Sequence, residues 1–103
     1  MNALYFSPAK SATHIHQAAQ GANGPPRIAL LNPLTQKDGV RRSGGCFKGP
    51  FTTGLTDATT GLDTGSASGF TLQQIVDNPS AFFADSHTEN FTAGAVRGQI
   101  QRA

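Results

Sequence analysis

The sequence predicts an all-β protein, an antiparallel β-sandwich with one short helix near residues 71–78. Only 14% of its 103 residues are charged and 12 are glycine, a composition typical of short strands joined by long turns. Short apolar runs alternate with turn signals along the chain, and a helical pattern occurs once. The length allows one small domain, which we place at residues 13–101 behind an N-terminal stub of residues 1–12.

The first predicted strand carries two of the three histidines in the chain. Successive side chains of a strand point to opposite faces, so His14 and His16 share one face and Ile15 lies on the other. The turn signal Asn23-Gly24 follows, and after it a buried strand runs from Arg27 to Leu31.

The middle of the chain is predicted to be mostly loop. Residues 35–45 are polar, basic and rich in glycine, and residues 46–53 form at best an edge strand because a Gly-Pro pair interrupts them. Residues 54–69 are rich in Thr, Gly, Ser and Asp, which predicts a long, mobile loop. Within it, Asp57 and Asp63 fit no calcium motif and are interpreted as solvated turn residues.

One helix is predicted after Phe70. Thr71 is placed as its N-cap and Gln74 as the third helical residue, which together make a capping box. Phe70 and Ile75 are spaced for a hydrophobic staple, and Asn78-Pro79 ends the helix.

The third histidine, His87, falls in a predicted strand at residues 81–88. Alternation places Phe83, Asp85 and His87 on the same face of that strand. Two imidazoles on one strand face, as at His14 and His16, are close enough to share one ion, with Cα atoms roughly 6–7 Å apart.

The last predicted strand spans residues 94–101. Val96 and Ile100 lie on its core-facing side, and Arg97 and Gln99 point away from the core. For Arg97 and Gln99 we expect a structural hydrogen-bonding role near the histidines.

Charge and cysteine content exclude several classes of protein. The net charge of +2 is too small to indicate nucleic-acid binding, and the basic cluster is interpreted as a solvated loop. Its members are Lys37, Arg41, Arg42 and Lys48. The single cysteine, Cys46, excludes an intrachain disulfide and is expected to be at least half-buried. No run is long enough to span a bilayer, and the N-terminus lacks the basic region of a signal peptide.

An ordered set of short motifs carries a family resemblance. The set consists of His-x-His at residues 14–16, Asn-Gly-Pro at 23–25, His-Thr at 87–88 and Arg-Gly-Gln at 97–99. Over residues 7–100 the chain closely resembles the CHRD domain, named after chordin and found widely in secreted proteins. The resemblance implies an immunoglobulin-like or superoxide-dismutase-like β-sandwich that is usually extracellular.

The resemblance also implies strands that are missing here. Members usually carry further strands and a signal peptide before the His-x-His motif, so the chain resembles a domain truncated at its N-terminal side. If strands are missing, one sheet has an open edge, which would favour self-association. Alternatively, the truncated chain would not fold alone. Asn90 begins an N-glycosylation sequon, which has meaning only in a secreted protein.

Two interpretations of the histidines stay open. His14, His16 and His87 resemble the copper-binding half of copper-zinc superoxide dismutases and would bind copper or zinc. With no fourth histidine, however, a complete dismutase copper site cannot form. Alternatively, the imidazoles are structural: they hydrogen-bond the backbone of the neighbouring turn, and Asp85 or Glu89 pairs with one of them.

The sequence therefore supports two hypotheses of function. The leading one is a non-catalytic, extracellular-type CHRD module that binds an unknown protein or surface ligand. The alternative is a copper- or zinc-binding protein. Catalysis is disfavoured, because Cys46 has no helix N-terminus to activate its thiol and the chain has no phosphate-binding loop.

Overall fold

The computed structural model describes residues 13–35, 39, 41–42, 44, 46–86 and 96–102. The described strands are β1 (Thr13–Gln17), β2 (Pro26–Leu30), β3 (Leu34–Thr35), β4 (Arg41–Arg42), β5 (Phe82–Ser86) and β6 (Val96–Gln99). One α-helix, α1, spans Leu72–Asp77, and short 3₁₀ turns lie at Ser66–Ser68 and Pro79–Ala81. The predicted all-β fold with one short helix is confirmed. The predicted stub, residues 1–12, lies outside the described residues.

The histidine strand lies inside the main sheet. This four-stranded sheet has the order β2-β1-β5-β6, and every neighbouring pair is antiparallel. In the register, His14 is opposite Ala29 on one side and Asp85 on the other, and His16 is opposite Phe83. The two histidines are therefore flanked by strands on both sides.

One face of this sheet is the hydrophobic core. Ile28 and Phe82 are 5% and 1% exposed, and Phe70 covers them from the segment before α1. The rings of Phe70 and Phe82 lie 6.0 Å apart between centroids. Partly buried side chains complete the cluster: Ile15, Leu30, Phe51, Ile75, Ala81 and Ile100. Burial of each large apolar side chain contributes about 1.5–3 kcal/mol, so this face supports the opposite one that carries the histidines.

The long loop of residues 54–69 is fixed by a carboxylate. Asp63 accepts the backbone N–H groups of Thr53, Gly54 and Gly65 at 3.0, 2.9 and 2.8 Å. These bonds hold the pKa of Asp63 below its usual value, although partial burial opposes the shift. Asp63 organises this loop, instead of being the solvated turn residue that the sequence predicts.

A second anchor joins the same loop to the sheet. The guanidinium of Arg27, on β2, donates from Nη1 to the Thr64 carbonyl and the Ser68 hydroxyl, both at 2.8 Å. Its Nε donates to Gln17 Oε1 at 2.9 Å. Because these contacts join distant parts of the chain, the loop has a defined position that its composition alone does not predict.

The helix begins after Thr71, as predicted, but without the predicted capping box. The Thr71 side chain makes no capping hydrogen bond, and the Gln74 N–H is bound by the Thr71 carbonyl at 3.1 Å. Both residues of the predicted staple, Phe70 and Ile75, join the core cluster. Since a helix of six residues is too short to be stable by propensity, this packing holds it.

Two further local predictions are wrong, and the predicted side of Val96 is correct although its burial is not. Part of residues 35–45 pairs with the preceding segment as the two-stranded β3–β4 ribbon, so this region is not wholly loop. Cys46 is exposed instead of half-buried. Val96 lies on the core side of β6 but is 69% exposed, because it pairs with Ser86 at the end of the sheet farthest from Phe82.

Candidate functional site

Side chains from three strands meet on the sheet face opposite the core. Residues at paired positions of neighbouring strands lie on one face, so the register of β1, β5 and β6 brings these side chains together. We call this surface the histidine face. It comprises His14, His16, Phe83, Asp85, Arg97 and Gln99.

A stack of three planar groups crosses the histidine face. The rings of His16 and Phe83 are parallel within 5°, with centroids 5.0 Å apart. The guanidinium carbon of Arg97 lies 3.5 Å from the centroid of the same phenyl ring. Since β1 and β6 flank β5 on opposite sides, Phe83 lies between the imidazole and the guanidinium. A cation over a phenyl ring contributes about 0.5–1 kcal/mol when exposed.

The segment between β1 and β2 is held against the histidine face by its backbone carbonyls. We call residues 18–25 the covering loop. Arg97 donates from Nη1 to the Ala22 carbonyl at 2.8 Å and from Nη2 to the Ala19 carbonyl at 3.4 Å. Gln99 donates from Nε2 to the Ala18 carbonyl at 2.8 Å. Side chains of β6 thus donate hydrogen bonds to carbonyl groups of the loop that lie outside the β-sheet.

The end of the covering loop approaches β1 closely. Pro25 accepts the N–H of Gln17 at 3.0 Å, which closes the loop onto the strand. A Cβ atom built on Gly24 would lie 1.9 Å from the Gln17 carbonyl oxygen and 2.9 Å from the Cβ of Ala18. Only glycine fits at this position, which explains the glycine of the Asn-Gly-Pro sequence.

His16 connects the covering loop to the buried carboxylate. Its Nδ1 donates to the Gly24 carbonyl at 2.8 Å, and its Nε2 lies 3.1 Å from Asp85 Oδ1. Burial opposes the charged imidazolium, yet the pKa of His16 is raised, because the hydrogen bonds to Asp85 and Gly24 outweigh desolvation. The positive charge of nearby Arg97 disfavours the imidazolium and therefore acts to lower the pKa of His16.

Three potential metal donors lie together beneath the loop. His14, His16 and Asp85 each offer one ligand atom, and these atoms lie within 4.8 Å of one another. The His16 side chain is 12% exposed, and residues His14 and Asp85 are 4% and 5% exposed. A cavity of about 200 Å³ borders the cluster, and Asn23 and the covering loop form part of its wall. Two imidazoles and a carboxylate are a donor set that suits zinc or copper.

The structure brings together only part of the predicted site. His14 and His16 share one face and lie at the cluster, whereas His87 and the sequon residue Asn90 fall outside the described residues. The predicted hydrogen-bonding residues of β6 lie on this face and bind the covering loop. The sequence predicted Asp85 as a partner of a histidine but not as a metal ligand, although its place on the predicted face of His87 was a signal for that role.

Comparison with known proteins gives a family. The CHRD domain model matches residues 3–100, nearly the whole chain. Searches of curated proteins and of solved structures found no match. No helix in the described part of the chain is long and apolar enough to cross a membrane. Members of the matched family are typically extracellular. With this match over almost its full length, the chain belongs to the CHRD domain family.

Proposed function

We propose that this chain is a non-catalytic, extracellular-type module that binds a protein or surface ligand through the covering loop. One observation carries this function: Arg97, Gln99 and His16 all donate to backbone carbonyls of that loop. Side chains of the histidine face thereby hold the covering loop in place. A loop fixed on a rigid sheet is a common form of binding site.

The outer surface of the covering loop is the part offered to a partner. Residues 19–23 are exposed and uncharged, and Gln20 and Asn23 provide amide groups for hydrogen bonding. Because the loop is already ordered by the sheet, a partner would not have to pay its ordering entropy on binding.

An affinity-capture experiment tests this function. The purified chain is immobilised and exposed to surface extract and growth medium of the cells that produce it, beside a Gln20→Lys/Asn23→Lys variant. Gln73→Lys, which adds a lysine on the exposed face of α1, is the matched control. We expect a partner that binds the wild type and the control but not the loop variant. Equal capture by all three chains would contradict binding through the loop.

Binding of copper or zinc is a second candidate function. It is favoured by the donor atoms of His14, His16 and Asp85, which lie within 4.8 Å of one another. Calorimetric titration of the folded chain with zinc chloride tests it, beside His14→Ala/His16→Ala. Stoichiometric binding that the variant loses would support a metal site. No binding by the wild type, in this titration and in the same titration with copper(II) chloride, would exclude one.

A further inference from the structure

We propose that Asp85 is the third protein ligand of this metal site, which is therefore a two-histidine, one-carboxylate centre. This inference rests on the second candidate function above, since it names the ligand set of the same site. It differs from the three-imidazole set that the sequence predicts in using the carboxylate of Asp85, whose ligand oxygen lies within 4.8 Å of ligand atoms of both His14 and His16.

The contact between His16 and Asp85 is the first argument. Nδ1 of His16 must carry a hydrogen, because it faces a backbone carbonyl at 2.8 Å and a carbonyl oxygen can only accept. Nε2 then faces Asp85 Oδ1 at 3.1 Å, where two lone pairs would repel each other. A positive centre must lie between these two atoms, and either a proton or a metal ion serves.

The orientation of His16 is the second argument. Histidines that bind a metal commonly donate their other ring N–H to a backbone carbonyl or carboxylate, which fixes the ring and its tautomer. The bond from His16 Nδ1 to Gly24 has this form and directs Nε2 toward Asp85. The outer support of a metal ligand is thus already built into the covering loop.

The distances are the third argument. Zinc bonds of about 2.0–2.2 Å in a tetrahedral site place neighbouring donor atoms roughly 3.4 Å apart. The His16–Asp85 separation of 3.1 Å is close to that spacing. The upper limit of 4.8 Å within the cluster exceeds it, so a donor would move inward by up to about 1.4 Å on binding. Nearly perpendicular rings, at 88° with centroids 5.5 Å apart, let His14 approach the ion without stacking on His16.

Access to the site comes from the neighbouring cavity. Its walls include His16, Asp85 and Asn23, and because Nε2 of His16 and Oδ1 of Asp85 are themselves buried, these side chains must shift for an ion to reach them. Three protein ligands leave a fourth position, and the cavity of about 200 Å³ has room for water there.

The test uses two metals and the full chain. Zinc affinity is measured by calorimetry, and the nitrogen ligands of bound copper(II) are counted by pulsed electron paramagnetic resonance. The variants are Asp85→Asn, which removes the charge, and Asp85→His, which offers an imidazole instead. Asp77→Asn is the matched control, because Asp77 is exposed on α1, where its carboxylate accepts a hydrogen bond from Gln73. Circular dichroism checks that each chain is folded.

The expected result has three parts. Wild-type copper shows two imidazole nitrogens, and Asp85→His shows three. Zinc affinity falls by more than about 100-fold in Asp85→Asn, beyond the 10–100-fold loss typical of an outer-shell partner. The control binds like the wild type.

Different results separate the two levels of inference. No binding by the folded wild type would overturn the metal function and the ligand set together. Wild-type binding with three imidazole nitrogens would overturn only the assignment of Asp85, and so would an affinity in Asp85→Asn within threefold of wild type. If both Asp85 variants fail to fold, a count of three imidazole nitrogens on the wild type still overturns the assignment.

Discussion

Substitution of Gly24 by alanine tests how closely the covering loop packs against β1. The added methyl carbon would lie 1.9 Å from the Gln17 carbonyl oxygen, a contact that no rotamer change can relieve because the oxygen belongs to the backbone. The loop must therefore move, and the bond from His16 Nδ1 to the Gly24 carbonyl lengthens or breaks.

The size of this effect follows from two terms that overlap. Overpacking costs about 1–3 kcal/mol, and loss of a hydrogen bond to a charged group costs about 1.5–3 kcal/mol. We expect a total loss of about 2–4 kcal/mol, which lowers Tm by roughly 8–16 °C in a domain of this size.

Urea denaturation of the metal-free chain is the assay. The midpoint should fall while the slope m stays constant, since the native state remains compact. Gly98→Ala is the matched control, because a Cβ atom at Gly98 meets nothing within 4 Å. A Gly24→Ala chain within about 0.5 kcal/mol of wild type would refute the close approach.

Three other substitutions probe the same framework. Arg97→Lys keeps the charge but loses the planar guanidinium over Phe83 and its contacts with two loop carbonyls. The free energy of unfolding, measured by urea denaturation, should therefore fall by about 1–2 kcal/mol. An unchanged midpoint would contradict the role of Arg97 in holding the covering loop. The pKa of His16 is higher in the folded chain than its unfolded value of 6.5. The contribution of this histidine to stability is therefore complete below pH 6.5 and is lost as pH rises through the folded pKa. The metal-free chain should therefore be less stable at pH 9 than at pH 6, and His16→Gln should flatten this slope; equal slopes would refute it. Asp63→Asn should cost about 1–2 kcal/mol at neutral pH through weakened backbone hydrogen bonds. That difference should shrink as pH falls through the lowered pKa of Asp63, and a constant difference in thermal melts would count against the carboxylate's role.

Strand periodicity predicted the faces of the main sheet correctly. Alternation alone placed His14 with His16 and Phe83 with Asp85, because a period of two is a property of the extended backbone. The partner strand of β1 could not be obtained in this way. β1 pairs with β5 across roughly seventy residues of chain, a long-range choice that no local pattern encodes.

The positions of loops were harder to predict, because they depend on contacts that local composition does not show. The Thr-, Gly- and Ser-rich composition of residues 54–69 is typical of mobile loops, but the position of this loop is set by Arg27 on β2 and by its own Asp63. The Thr71 capping box matched its sequence pattern and did not form, since core packing of Phe70 and Ile75 determines where the helix begins.

The sequence predicted the two histidines of the candidate site as metal ligands but did not predict its carboxylate as one. His14 and His16 stand out because two histidines two residues apart must share a strand face. Asp85 becomes a donor only because β5 pairs with β1 in a register that places it opposite His14. The stack of Phe83 between His16 and Arg97 depends on the same pairing together with that of β6.

The claim that the histidine face holds the covering loop in one conformation is tested most directly by ¹⁵N relaxation of the backbone amides of residues 18–24. The clamp of His16, Arg97 and Gln99 predicts order parameters near those of the sheet, about 0.85. Values below about 0.6 across the loop, with rigid strands on either side, would contradict a fixed loop and with it the binding surface proposed here.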